Sequence, residues 1–193
     1  MKKSILLIIG AILTSGIVIS QDLTINDHSK LFYKFTEFDK AVTYSFSISS
    51  ITPTISYEWG NSNKEENNGN GLITQEALET ALNLTFFYTD VVLVTMYDRT
   101  PSFLVSKKIY GELKNTGKSR IRLQDNENAN TLQIVGVEDF EIIINKEVKK
   151  VKVLHATFSG DSGSEIWILD NPDFPIVVKL KSQKEYELKE VKQ

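Results

Sequence analysis

The chain contains no cysteine. That excludes disulfides, thiolate catalysis and cysteine-ligated zinc, and it leaves no thiol for a lipid anchor of the usual bacterial kind. Histidine occurs only as His28 and His155, far apart and without ligand-spaced neighbours, so no zinc motif is present. A basic surplus is missing too, with 22 Lys and Arg against 25 Asp and Glu. A mildly acidic protein gains nothing from long-range attraction to nucleic acid or anionic lipid.

What the chain does have begins at its first residues. Lys2 and Lys3 precede an uncharged, Ile- and Leu-dominated stretch over residues 4–19, and Val18 and Ser20 stand at the third and first positions before Gln21. This is the anatomy of a secretory signal peptide cleaved after Ser20. An apolar stretch of about 17 residues is at the bottom of the range for a spanning helix, so no stable membrane insertion is expected after cleavage. Residues 21–193 are then one domain, with the formal charge moving from −3 to −5 as Lys2 and Lys3 leave. A chain of this length can bury about two-thirds of its unfolded surface in one core. With 41% hydrophobic and 10% aromatic residues it has the material to do so.

From Lys30 onward the dominant period is two. Val42, Tyr44, Phe46 and Ile48 alternate with Thr43, Ser45, Ser47 and Ser49, as in a strand with one wet face. Leu31, Tyr33 and Phe35 predict its preceding partner; Ile55, Tyr57 and Trp59 predict a third strand after Pro53. Residues 22–29 read as a loose lead-in, and the Asn- and Gly-rich residues 61–71 as an exposed hairpin loop. Thr74 is placed to cap a short helix carrying Ala77, Leu78, Ala81 and Leu82 on one stripe; Ser106 caps a second with Ile109, Tyr110 and Leu113 inward, stopped at Gly117. Between them, residues 86–97 read as a central strand covered on both faces. Residues 121–123, 132–135, 140–144, 148–158, 176–180 and 186–191 continue the strand pattern, with Asn145-Lys146 as a tight turn. The expectation is a mainly β (α+β) protein: one antiparallel, strongly curled sheet or open half-barrel of about eleven or twelve strands with two short helices packed on it.

Motifs with possible chemistry reduce to turns. Gly160-Asp161-Ser162-Gly163 resembles the nucleophile segment of trypsin-like proteases, and Asp161-Ser162-Gly163-Ser164 resembles the catalytic turn of pepsin-like ones. The first chemistry needs a base His and an orienting Asp, the second a paired turn sharing a proton. Neither complement is present, and Gly and Asp are ordinary turn residues. His155 reads as a hydrogen-bonded sheet residue. Residues 125–130 lack the Gly and terminal Glu of a calcium loop. Lys146, Lys149, Lys150 and Lys152 read as a solvated sheet edge, and no interleaved aromatic makes them a nucleic-acid patch. No catalytic residue, metal or cofactor is expected.

The aromatics Tyr33, Tyr44, Phe46, Tyr57, Trp59, Phe86, Phe87, Tyr88 and Trp167 fall on strands expected to be neighbours. They form either a sheet core or an aromatic-lined concave face that makes an apolar pocket. In the second case Tyr44, Phe46, Tyr57, Trp59 and Trp167 are the expected ligand-binding lining. That choice depends on register, because a one-residue slip turns every side chain to the other face.

The segment Trp167-Ile168-Leu169-Asp170-Asn171-Pro172-Asp173-Phe174-Pro175-Ile176-Val177-Val178-Lys179 resembles the ending of a group of secreted bacterial β-rich proteins. The likeness extends to Tyr57-Glu58-Trp59-Gly60 and to the stretch from Ser106 to Lys114. More distantly it is similar to the half-barrel of periplasmic lipoprotein carriers of the LolA/LolB type. The resemblance implies an open barrel plugged by helices. The expected function is a periplasmic or secreted non-enzymatic module binding a lipid or hydrophobic small molecule. The alternative is a structural protein with a packed core that docks an envelope protein; neither involves nucleic acid.

Overall fold

The computed structural model describes residues 23–37, 40–62, 64–86, 93–123, 129–159, 163–182 and 185–193. The expected signal peptide, Phe87, Tyr88, residues 124–128 of the expected polar loop and Gly160, Asp161 and Ser162 lie outside them.

The chain is mainly β. In order it runs β1 (Lys30–Glu37), β2 (Lys40–Ser50), β3 (Ile55–Asn61), β4 (Lys64–Ile73), α1 (Gln75–Thr80), β5 (Asn83–Thr85), β6 (Leu93–Met96), β7 (Arg99–Pro101), α2 (Lys107–Thr116), β8 (Lys118–Leu123), β9 (Asn130–Ile144), β10 (Glu147–Phe158), β11 (Glu165–Leu169), β12 (Val177–Lys181) and β13 (Glu185–Lys192). All thirteen strands join one sheet in the order β6-β4-β3-β2-β1-β13-β12-β11-β10-β9-β8-β5-β7, slightly more strands than the periodicity predicts.

Two features curl it. The strands at its two ends, β6 and β7, are consecutive in the chain, separated only by Tyr97 and Asp98. The stretch 93–101 is therefore a seam linking both ends of the sheet. In addition, the end of β13 pairs in parallel with the end of β9, at Glu190↔Ile143 and Val191↔Ile144, closing β9 to β13 into a ring.

Local signals explain most elements. Alternation places Leu31, Tyr33 and Phe35 of β1 beside Phe46, Tyr44 and Val42 of β2, with the other face of β2 carrying hydroxyls. Thr74 accepts a hydrogen bond from Ala77 N at the start of α1; Ser106 accepts one from Ile109 N at the start of α2. Gly117 ends α2 with φ of 74°, the left-handed conformation that glycine adopts at no steric cost. Asn145 and Lys146 both have positive φ, as the two-residue turn requires.

Five expectations are corrected. Residues 64–71 are strand β4 and not a loop: β4 pairs with β3 through Tyr57↔Gly71 and Glu58↔Asn70, while Asn63 lies outside the described residues. Backbone pairing with an aromatic strand overrides the low β-propensity of Asn and Gly. Of residues 86–97, residues 87–92 lie outside the described residues, and the described part is not a central covered strand. β6 stands at the sheet edge, and Leu93 and Tyr97 are 68% and 66% exposed. Residues 132–135 and 140–144 belong to a single strand, β9, with a bulge where His155↔Gly136 gives way to Ala156↔Ile134. The lysines of β10 are not on an edge strand, since β10 lies between β9 and β11; Lys152 and Lys150 pair with Asp139 and Glu141 across the ladder. The lead-in is pinned: Leu23 and Ile25 are buried, and His28 N and Ser29 O bond the backbone of Ile48.

Candidate functional site

Of the five expected lining residues, the structure brings four together. Tyr44, Phe46, Tyr57 and Trp59 all point into the core and are buried. Their strands are adjacent, with Phe46 directly opposite Trp59. The concave face they form is filled by the segment before α2. Phe103 is fully buried, its ring 4.6 Å from that of Phe46 and 5.2 Å from that of Tyr57, edge-on to the latter. Leu104 and Val105 are buried beside it. Tyr33 and Tyr186 extend the same cluster, their rings 5.9 Å apart. Tyr33 donates to Val177 O of β12 at 2.8 Å, and Tyr186 donates to Ser102 O, the latter bond tying the segment before α2 to the sheet. Burial pushes the hydroxyls of Tyr33, Tyr57 and Tyr186 well above the usual tyrosine range, so these groups act as neutral hydrogen-bonding core residues.

Trp167 does not join them. Ile166 and Ile168 take the inward positions of β11, and Trp167 turns to the other face. There it stacks on His155 with ring centroids 4.4 Å apart and donates Nε1–H to Glu138. Lys179 Nζ stands 5.5 Å from the Trp167 ring, and His155 Nε2 lies 2.8 Å from Glu165 Oε2. Hydrogen bonding to His155, with Lys181 adding to it, lowers the carboxyl pKa of Glu165. His155 is thus a hydrogen-bonded sheet residue, as expected.

The described residues contain a different hollow. A cleft of about 380 Å³ lies between α1, the β2–β3 connection, residues 104–107 and the turn at 171–175. Its buried walls are Ile25, Ile55, Leu104, Val105, Phe174 and Pro175, with Ile51 and Leu78 half-buried above them. Polar groups stand at the exposed rim: Gln75, Glu79, Lys107 and Asp173. Lys107 Nζ is paired with Glu79 Oε1 at 2.8 Å. The turn is held by a local side-chain cap: Asn171 Oδ1 accepts from the N–H groups of both Asp173 and Phe174. The sequence does not mark this cleft. Its walls come from five separate stretches, none of which carries a period that marks a pocket.

Among the described residues, no group of three or more His, Asp or Glu is placed to hold a metal ion, and no helix is long and apolar enough to cross a membrane. Comparison of the chain with protein-family models, with curated proteins and with solved structures finds no match.

Proposed function

We propose that this protein is an exported, non-enzymatic binding module that holds an apolar, lipid-like ligand in the cleft beneath α1. The observation carrying this reading is the division of the cleft into a buried aliphatic and aromatic floor and a charged rim. That is the usual chemistry of a small-molecule site, in which apolar walls supply affinity and a few polar groups fix orientation. A volume of about 380 Å³ is near the lower end for such sites, so it suits one short acyl chain or ring system. The likeness of residues 167–179 to half-barrel lipoprotein carriers agrees with this class of ligand, and Phe174 and Pro175 of that segment wall the cleft. The proposed location, the periplasm or the extracellular space, rests on the residues before Gln21.

The test is native mass spectrometry of residues 21–193 purified from a bacterial periplasm, followed by organic extraction. A bound mass released as a lipid, and absent from a Leu78→Trp variant that fills the cleft, is the expected result. A clean apo mass that takes up nothing from a lipid mixture would sink the reading. The closing of the aromatic face by Phe103 favours the second reading, a packed module that docks an envelope protein.

A further inference from the structure

β9 is fifteen residues long, yet its outer side is only partly covered. β8 pairs with it from Asn130 to Gln133, and β13 pairs with Ile143 and Ile144. Among the described residues, no strand pairs with residues 135–142 on that side. Beyond the bulge at Gly136 the ladder with β10 is unbroken from Leu154↔Val137 to Glu147↔Ile144. Residues 137–142 are therefore a regular strand edge, and alternate residues aim N–H and C=O away from β10. Such an edge is a template for another strand.

The side chains say which strand. Val137, Asp139, Glu141 and Ile143 alternate along one face of β9, since their ladder partners Leu154, Lys152, Lys150 and Val148 alternate along β10. Val137 is 53% exposed, and no Lys or Arg occurs on β9. A second copy of this chain is a poor guest. Antiparallel self-pairing lays the Asp139–Glu141 pair on itself, and directly opposed like charges destabilise a sheet. The existing cations are on the far side: Lys152 lies 2.6 Å from Asp139 and Lys150 3.8 Å from Glu141, both reaching from β10. Each carboxylate can still accept from the open side, because it has two oxygens.

We propose that residues 137–142 of β9 accept, as an added β-strand, an extended basic segment of a partner protein. That segment reads apolar, basic, basic at alternate positions, matching Val137, Asp139 and Glu141, and it stops short of Ile143, where β13 already pairs. Backbone pairing supplies affinity and the side-chain row supplies register. This surface is separate from the cleft and stands whether or not the cleft holds a ligand.

The experiment uses residues 21–193 and a blocked seven-residue peptide, Thr-Val-Thr-Lys-Thr-Lys-Thr, that alternates Thr with the row Val-Lys-Lys. Its counterpart carries Glu in place of both Lys. Amide hydrogen exchange is followed residue by residue by NMR. The expected result is that the lysine peptide slows exchange of outward amides within residues 137–142 at least tenfold, and that the glutamate peptide does not. Charge reversal by Asp139→Lys with Glu141→Lys should exchange the two preferences. Protection elsewhere only, no protection at all, or equal protection by both peptides would overturn the proposal. The peptide comparison on the unaltered chain decides the matter even if the double variant does not fold.

Discussion

Gly71 of β4 lies under the ring of Tyr57 on the adjacent strand, so close that a Cβ on Gly71 would stand 2.1 Å from Tyr57 Cζ. The Tyr57 ring is buried between Phe46 and Phe103 and has little room to withdraw. Gly71→Ala is therefore expected to cost about 1–3 kcal/mol, the usual penalty for overpacking. Gly111→Ala is the matched control. That glycine sits within α2 with nothing near the position a Cβ would take, and the change should stabilise by about 0.5–1 kcal/mol. Urea unfolding of both variants, with opposite signs, checks the close approach.

Phe103 is the piece that closes the aromatic face. Phe103→Ala should cost about 3–5 kcal/mol as a large core truncation. It should also open an apolar cavity against Phe46 and Tyr57. The check is unfolding free energy together with uptake of benzene or a hydrophobic dye by the folded variant. A loss under about 1 kcal/mol would contradict the packing described.

Ser106 has two tasks. Its hydroxyl accepts from Ile109 N to cap α2 and donates to Ala81 O at 2.6 Å at the end of α1, in a buried site. Ser106→Ala leaves the Ala81 carbonyl without that donor and uncaps α2. The expected loss is about 1–3 kcal/mol, with Ser106→Thr retaining part of it. Thermal unfolding of the two variants separates the hydroxyl from the change in volume.

The outer-face pair predicts a pH dependence. The Glu165 carboxyl has a folded-state pKa below its ordinary value, first because it bonds His155. A depressed carboxyl pKa contributes stability that is present above the unfolded value and is lost as pH falls through the folded one. Glu165→Gln should therefore be less stable than the parent near pH 6, and the gap should close on acidification below about pH 4, the ordinary range for Glu. Unfolding curves at both pH values test the sign.

Much of the fold was legible because it depends on neighbours in sequence. The alternation through Tyr44, Phe46 and Ile48, the caps at Thr74 and Ser106, the stop at Gly117 and the turn at Asn145-Lys146 each follow from a few adjacent residues. Trp167 was harder. Its strand is correct, but the bulges beside it in the β10–β9 and β11–β12 pairs alter the alternation that a face assignment relies on. The apolar row Ile166 and Ile168 was the better guide to the inward face.

By itself, the sequence determined a mainly β chain without disulfides, the starts of the two helices with the stop of the second, and the inward alternation of Tyr44, Phe46, Tyr57 and Trp59. Those properties are local or compositional, and they follow from side-chain period, capping groups and the absence of cysteine. Tertiary structure alone decided that residues 93–101 join both ends of the sheet, that β13 closes on β9, and that Phe103 fills the concave face. It also decided that the hollow lies beneath α1. Each of these depends on which distant strands meet and in what register, and such long-range pairings leave no period in the chain.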